Sequence, residues 1–295
     1  MFNNKKAAAV EQVGSKSKGD DTPYLQSAPG GKRWAVMMIG TARTYAFARS
    51  SLIENVLHQT DPPMDVFTST LLVDTSSCFL EQHSLELLKK DSTAVRFHQV
   101  KNIKSREKQT LDRFVNEQSA LLQLIEDYSK DHNITYDYIF YTRPDLYYTI
   151  PFNIKEVERT LEGRMSTLFS PECCKFAGWC DRLAAASYQD FSKMILSSKD
   201  WARSGGDKYI YEPAFQHRAE YANLTNFDLT LKKDYGFLTL RLKHAAQSCD
   251  GKEKVDAFRT DILCNNSTFP SLETTPDTCR LLNSSSTNPR SCSFG

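Results

Sequence analysis

The sequence lacks several patterns that would have assigned it to a common class. It has no continuous run of the roughly 20 apolar residues that a membrane-spanning helix needs, and no apolar signal segment follows Met1. It contains neither G-x-x-x-x-G-K nor G-x-G-x-x-G, which argues against a P-loop or a dinucleotide-binding loop. The net charge is only +1, with acidic and basic residues interspersed, so we expect no nucleic-acid partner. The lack of a long apolar run predicts no membrane span in this chain.

Paired cysteines of the C-x₂-C type are also absent, which argues against a zinc ribbon or finger. The eight cysteines instead stand alone at Cys78, in a group at residues 173–180, and at intervals in the C-terminal part. That last spacing suits disulfides at Cys249, Cys264, Cys279 and Cys292.

Five N-x-S/T sequons, which begin at Asn133, Asn223, Asn265, Asn266 and Asn283, favour the same oxidising compartment. We therefore expect a glycoprotein of the Golgi or secretory lumen. A complete N-terminus would instead favour a cytoplasmic protein with free thiols.

What remains is an ordinary globular composition, with 295 residues, 40% hydrophobic and 25% charged. Residues 1–31 are rich in Lys, Ser, Gly and Asp and predict a disordered tail. Residues 32–244 predict one domain, and residues 245–295 predict a Cys-, Ser- and Asn-rich tail with little regular structure.

Apolar strands alternate with amphipathic helices along this domain. Strands are predicted at residues 34–39, 65–68, 94–100, 138–142, 146–150, 166–170, 227–231 and 237–242. Helices are predicted at residues 47–59, 80–89, 106–131, 153–161, 188–200 and 209–221. This order predicts an α/β fold whose mostly parallel central sheet is covered by helices on both faces.

The chain is organised around the strand predicted at residues 138–142. Pro144 ends this strand because proline has no N–H to donate, and Asp145 follows it directly. Ligands of open α/β sheets bind at the carboxyl ends of the strands, which is where Asp145 and Arg143 would lie. A metal ion or a sugar phosphate suits these two residues. An Arg–Asp pair that merely caps the strand is the alternative.

Three further segments carry candidate functional residues. Gly40 ends the first strand, and Arg43 follows in a loop that could offer N–H groups and a cation to a diphosphate; an ordinary strand–helix turn is equally compatible. Asp181 precedes a strand of small residues and is a further candidate; a salt bridge with Arg182 would be an alternative role for it. Glu212 lies near the start of a helix, where it could act as a base or merely stabilise the helix by interacting with its dipole.

Taken together, these segments resemble the nucleotide-sugar glycosyltransferases of GT-A type, and in particular an algal, plant and viral branch with R-P-D in place of D-x-D. The matching elements, in order, are Gly40 and Arg43, Asp65-Val66-Phe67, Tyr136-Asp137 through Arg143-Pro144-Asp145, Asp181-Arg182-Leu183-Ala184, and Glu212. The resemblance covers residues 33–242.

The resemblance implies a Rossmann-like GT-A fold and transfer of a sugar from a nucleotide-sugar donor to a hydroxyl of a glycan or glycoprotein. It implies that Gly40, Arg43, Arg143 and Asp145 bind the donor, and that Asp181 and Glu212 are catalytic. Because R-P-D keeps only the second carboxylate of D-x-D, Mn²⁺ or Mg²⁺ on Asp145 and a metal-independent site with Arg143 are both open.

Two other functions stay open on the sequence. A catalytically inactive GT-A protein that binds a glycan or a nucleotide is compatible with the missing carboxylate. A sulfotransferase or kinase would need another phosphate-binding loop, since no Gly-Lys-Ser/Thr loop is present.

Overall fold

A computed structural model describes residues 31–42, 44–72, 79–99, 108–174, 178–204, 211–229, 233–242 and 258–263. The strands in these ranges are β1 (Trp34–Gly40), β2 (Asp65–Leu72), β3 (Ala94–Gln99), β4 (Tyr138–Thr142), β5 (Leu146–Tyr148), β6 (Thr167–Phe169), β7 (Ala184–Ser187), β8 (Thr225–Phe227), β9 (Phe237–Leu242) and β10 (Phe258–Leu263). The helices are α1 (Tyr45–Asn55), α2 (Phe79–Asp91), α3 (Lys108–His132), α4 (Ile154–Glu162), α5 (Tyr188–Arg203) and α6 (Tyr211–Tyr221).

Seven strands form the central sheet in the order β3-β2-β1-β4-β7-β6-β8. The pairs β3–β2, β2–β1, β1–β4 and β6–β8 are parallel, whereas β7 runs antiparallel to both β4 and β6. The chain therefore has a Rossmann-like α/β fold with a mostly parallel sheet, as the sequence predicted.

Helices cover both faces of this sheet because alternate residues of each strand point to opposite sides. On one face, Val36 and Phe140 pack with residues of α1, α2 and α4, such as Leu52. On the other face, Met37 and Tyr141 pack with residues of α3, α5 and α6. Central strands that are apolar on both sides are typical of a parallel sheet with two helical layers.

Local signals explain where several elements begin. Helix α4 begins after Asn153, whose side chain accepts a hydrogen bond from the backbone N–H of Glu156. Helix α5 begins in the same way, with the Ser187 side chain accepting from the N–H of Asp190. These caps fix the connections on either side of the sheet.

A second sheet of three strands has the order β10-β9-β5, and its neighbouring strands are antiparallel. Strand β10 lies in the segment for which the sequence predicted little regular structure, so that prediction is wrong at Phe258–Leu263. The strand predicted at residues 227–231 instead spans Thr225–Phe227 as β8. The N-terminal residues 1–30 and the cysteines Cys249, Cys264, Cys279 and Cys292 lie outside the described residues.

Within the described ranges, no helix has both the length and the apolar character that crossing a bilayer requires.

Candidate functional site

The candidate site lies where the direction of sheet winding reverses. From β1 the chain proceeds outward through β2 to β3, and then returns to place β4 on the other side of β1. Such a switch point leaves a crevice at the carboxyl ends of the two central strands, which is where open α/β sheets bind ligands. Gly40 ends β1, and Arg143, Pro144 and Asp145 follow β4 at this edge.

Gly40 is required by the close approach of these two strand ends. Its φ is 152°, a conformation that L side chains rarely adopt, and a Cβ at this position would lie 2.9 Å from Cδ of Pro144. The glycine therefore lets the end of β1 contact Pro144 directly. Arg43, predicted to follow in the same loop, lies outside the described residues.

Arg143 and Asp145 form a bidentate ion pair. Nε of Arg143 donates to Oδ1 of Asp145 at 2.9 Å, and Nη2 donates to Oδ2 at 2.6 Å. Burial lowers the pKa of Arg143, but the charge and the hydrogen bonds of Asp145 outweigh this and raise it overall. Both oxygens of Asp145 thus accept from Arg143, the pairing that the sequence offered as the alternative to a ligand site.

The antiparallel direction of β7 brings the next candidates to the same edge. Tyr141 in β4 lies opposite Ala184 in β7. Residues that precede Ala184 therefore lie beside residues that follow Tyr141, so Asp181 and Arg182 come close to Arg143. A parallel β7 would have placed this segment at the opposite edge of the sheet.

Asp181 is a largely buried carboxyl group with a perturbed pKa. Burial and, to a smaller extent, the neighbouring Glu212 carboxylate raise its pKa to about 6, although Arg143 and Arg182 oppose the shift. Asp181 therefore holds a proton more readily than an isolated acid does, which suits proton transfer near neutral pH.

The backbone explains why Asp181 and Glu212 are neighbours. A Cβ on Gly178 would lie 2.3 Å from the backbone oxygen of Glu212 and 2.5 Å from the nitrogen of Pro213. Only glycine therefore allows the loop before β7 to lie against the first turn of α6. Cys173 and Cys180, which flank this loop, are both disulfide-bonded.

Arg182 completes the cluster. Its Nη1 donates to Oγ1 of Thr239 in β9 at 2.8 Å. Burial lowers the pKa of Arg182, and the like charge of Arg143 lowers it further, more than the nearby carboxylates restore. Two arginines and three carboxyl groups thus share the carboxyl edge of β4.

The side chains in this part of the chain do not provide a ready metal cage. Among the described residues, no group of three or more His, Cys, Asp or Glu side chains is arranged to hold an ion. Asp145, the predicted metal ligand, already uses both oxygens with Arg143. A metal ion on Asp145 would share these oxygens with the guanidinium of Arg143, which repels a second cation.

Of the residues predicted for the site, the structure brings together Arg143, Asp145, Asp181 and Glu212, with Gly40 at the edge of the crevice. Sequence reasoning missed Arg182 as a site residue, because it was considered only as a salt-bridge partner of Asp181. The signal that would have identified it is its place beside Asp181 in the D-R segment before β7.

A family model described as Domain of unknown function (DUF7796) matches residues 30–223 of the chain. No curated protein matches the chain.

Solved structures with similarity to the chain include two crystal structures of the glycosyltransferase GlyE from Streptococcus pneumoniae. One is 14% identical and the other, the apo form, is 15% identical. Each comparison has a TM-score of 0.38 and covers 68% of this chain and 45% of the GlyE chain, so the chain spans less than half the length of that protein. At this TM-score the similarity does not bear on function.

Proposed function

The chain belongs to the family described as Domain of unknown function (DUF7796), and we propose that it is a nucleotide-sugar-dependent glycosyltransferase. Its donor would be a nucleotide sugar, and its acceptor would be a hydroxyl group of a glycan or glycoprotein.

One observation supports this proposal above all others. A cluster of two arginines and a coupled pair of carboxyl groups lies at the switch point of a Rossmann-like sheet. The arginines suit a diphosphate, and the carboxyl groups suit the proton of an attacking hydroxyl. A nucleotide sugar needs both, since its leaving group is an anion and its acceptor must lose a proton.

The transfer would proceed by substitution at the anomeric carbon of the donor sugar. The acceptor oxygen forms a bond to this carbon, and the bond from the carbon to the phosphate oxygen breaks. The nucleoside diphosphate leaves with the electron pair, and the acceptor proton passes to the carboxylate of Glu212 or Asp181. Cations beside the leaving phosphate stabilise the charge that develops there.

Two arrangements would neutralise that charge. In the first, Asp145 would hold Mn²⁺ or Mg²⁺, which would supply positive charge beside the leaving phosphate. In the second, arginine side chains bind the diphosphate directly. The second arrangement is favoured because, among the described residues, no group of three or more His, Cys, Asp or Glu side chains could hold an ion, and Asp145 is already paired with a cation.

A protein of this fold that binds a glycan or nucleotide without catalysis is the second candidate. The observation that favours it is the bidentate pairing of Asp145 with Arg143, which engages both oxygens of the carboxylate in the R-P-D segment.

Hydrolysis of a panel of nucleotide sugars separates the two candidates, because transferases slowly transfer their donor to water. We expect release of one nucleoside diphosphate from one member of the panel by the wild-type chain. The variant Glu212→Gln should lose this activity with little change in melting temperature, because it keeps the size of the side chain and removes the base.

The matched control is Glu220→Gln on the same helix, where the exposed carboxylate only accepts from Gln216 and pairs with His217. This control should turn over the donor like the wild type. Nucleotide binding without any hydrolysis would favour the inactive binding protein, and normal turnover by Glu212→Gln would remove Glu212 from the mechanism.

A further inference from the structure

Arg182 is an arginine at the site whose charge forms no salt bridge with another described residue. It donates one hydrogen bond, from Nη1 to Oγ1 of Thr239, and among the residues the structure describes it takes part in no ion pair. The β5–β9 register places Thr239 opposite Leu146, directly after Asp145. The guanidinium of Arg182 is therefore held beside the Arg143–Asp145 pair.

Arg143 also has one amino group, Nη1, that the pair with Asp145 does not use. Nε and Nη2 are used by Asp145, but Nη1 forms no hydrogen bond with another described residue. Asp145 thereby fixes the plane of the Arg143 guanidinium while leaving one of its amino groups available. Because the Arg143 side chain is already ordered, ligand binding costs less of its conformational entropy.

The two guanidinium groups repel each other in this partly buried setting. Arg143 lowers the pKa of Arg182 after burial has done so, and the attraction of Asp181, Asp145 and Glu212 does not restore it. An anion bound between two like charges that the fold holds together offsets their electrostatic repulsion. The planar forks of two arginines match the oxygens of a phosphate better than a point charge does.

We propose that Arg143 and Arg182 form a two-arginine clamp that binds the diphosphate of the donor directly, without a divalent ion. Asp145 is then a positioning residue for Arg143 rather than a metal ligand. The identity of the ligand as a nucleotide sugar rests on the proposed function, whereas the binding of an anion is inferred from the two arginine side chains alone. Asp181 and Glu212 neighbour the two arginines and would then serve the sugar and the acceptor.

Calorimetry on the full chain in EDTA tests the clamp with two probes, inorganic pyrophosphate and UDP or GDP. The wild type should bind pyrophosphate with the same affinity in EDTA and in Mn²⁺. Arg182→Gln should weaken this binding by at least ~10-fold, the size of one lost charge-assisted contact. Arg182→Lys keeps the charge and loses the fork, so we expect an intermediate loss of about threefold or more.

Arg159→Gln is the matched control. Arg159 is a 73% exposed arginine on α4 that pairs with Glu156, outside the site. It should bind both probes like the wild type. Melting temperatures of all variants confirm that they fold, and if Arg182→Gln does not fold, Arg182→Lys decides the question.

The outcomes separate the clamp from the transferase. No pyrophosphate binding in EDTA, or equal affinity in wild type and the Arg182 variants, overturns the clamp. Clamp-dependent pyrophosphate binding without hydrolysis of any nucleotide sugar supports the clamp and counts against the transferase. Donor hydrolysis that is unchanged in Arg182→Gln overturns the clamp and leaves the transferase standing.

Discussion

Replacement of Asp145 by Asn tests the central pair most directly. The change keeps the size of the side chain and one acceptor oxygen, but it removes the negative charge and turns an NH₂ group toward Arg143. One of the two hydrogen bonds from Arg143, at 2.9 and 2.6 Å, must therefore be lost. What remains is a cation without its counter-charge at the carboxyl end of β4.

The size of the effect follows from the environment of the pair. A hydrogen bond to a charged group contributes about 1.5–3 kcal/mol when it is buried. The Arg143 and Asp145 side chains are 28% and 13% exposed, so solvent screens part of this and we expect a loss of about 1–2 kcal/mol. For a chain of this size, that corresponds to a fall in melting temperature of roughly 2–8 °C.

A double-mutant cycle supplies the control. Arg143→Gln, Asp145→Asn and the double variant are melted under identical conditions, and we expect a coupling energy of about 1–2 kcal/mol between the two positions. Strictly additive effects would show that the ion pair does not stabilise this edge of the sheet.

Ligand binding by the same variants distinguishes the two roles of Asp145. As a positioning residue, Asp145 should affect pyrophosphate affinity equally with and without Mn²⁺. As a metal ligand, it should give the wild type a Mn²⁺-dependent gain in affinity that Asp145→Asn loses by at least ~10-fold. A Mn²⁺-dependent gain of this kind would refute the metal-free clamp.

Two more predictions concern protonation and compartment. Because the pKa of Asp181 is raised to about 6 in the folded chain, its contribution to stability is present below its ordinary value near 4 and is lost as the pH rises through 6. Asp181→Asn should therefore be more stable than the wild type at pH 7.5, by about 2 kcal/mol, and equally stable near pH 4; a variant that melts lower at pH 7.5 contradicts the shift. For the compartment, Asn133 and Asn223 are exposed after α3 and α6. In protein secreted from a eukaryotic host, we expect glycans at these two sites, which enzymatic glycan removal releases with a loss of mass and which the Asn133→Gln/Asn223→Gln variant lacks. Unmodified asparagines together with free tail cysteines would count against the secretory lumen.

The sequence was sufficient to predict the elements whose signals are local. Strand β4 spans Tyr138–Thr142 as predicted, because a short aromatic and β-branched run ends at a proline. Strand β9 also has its predicted bounds, Phe237–Leu242. Helix α4 begins one residue after the position predicted, since Asn153 is its cap rather than its first residue.

The features that depend on distant contacts were not predictable in this way. The direction of β7 is set by its partners, and a small-residue segment reads the same in either direction. Strand β10 was missed because a polar, cysteine-rich segment gives no strand signal until β9 is available to pair with it. The D-R segment draws attention to Arg182, but the hydrogen bond that positions its side chain comes from Thr239 of a distant strand and has no local signal.

Because of the contact at Gly178, mutations in the loop before β7 and mutations in the first turn of α6 should have the same effects. Any side chain at this position must push the loop before β7 away from the first turn of α6, since even a Cβ would lie 2.3 Å from the backbone of Glu212. A substitution at Gly178 should therefore share the phenotype of a substitution at Glu212, although the two positions are far apart in sequence. Compensating second-site changes should be found where the two backbones meet, around Pro213, rather than next to Gly178 in the chain.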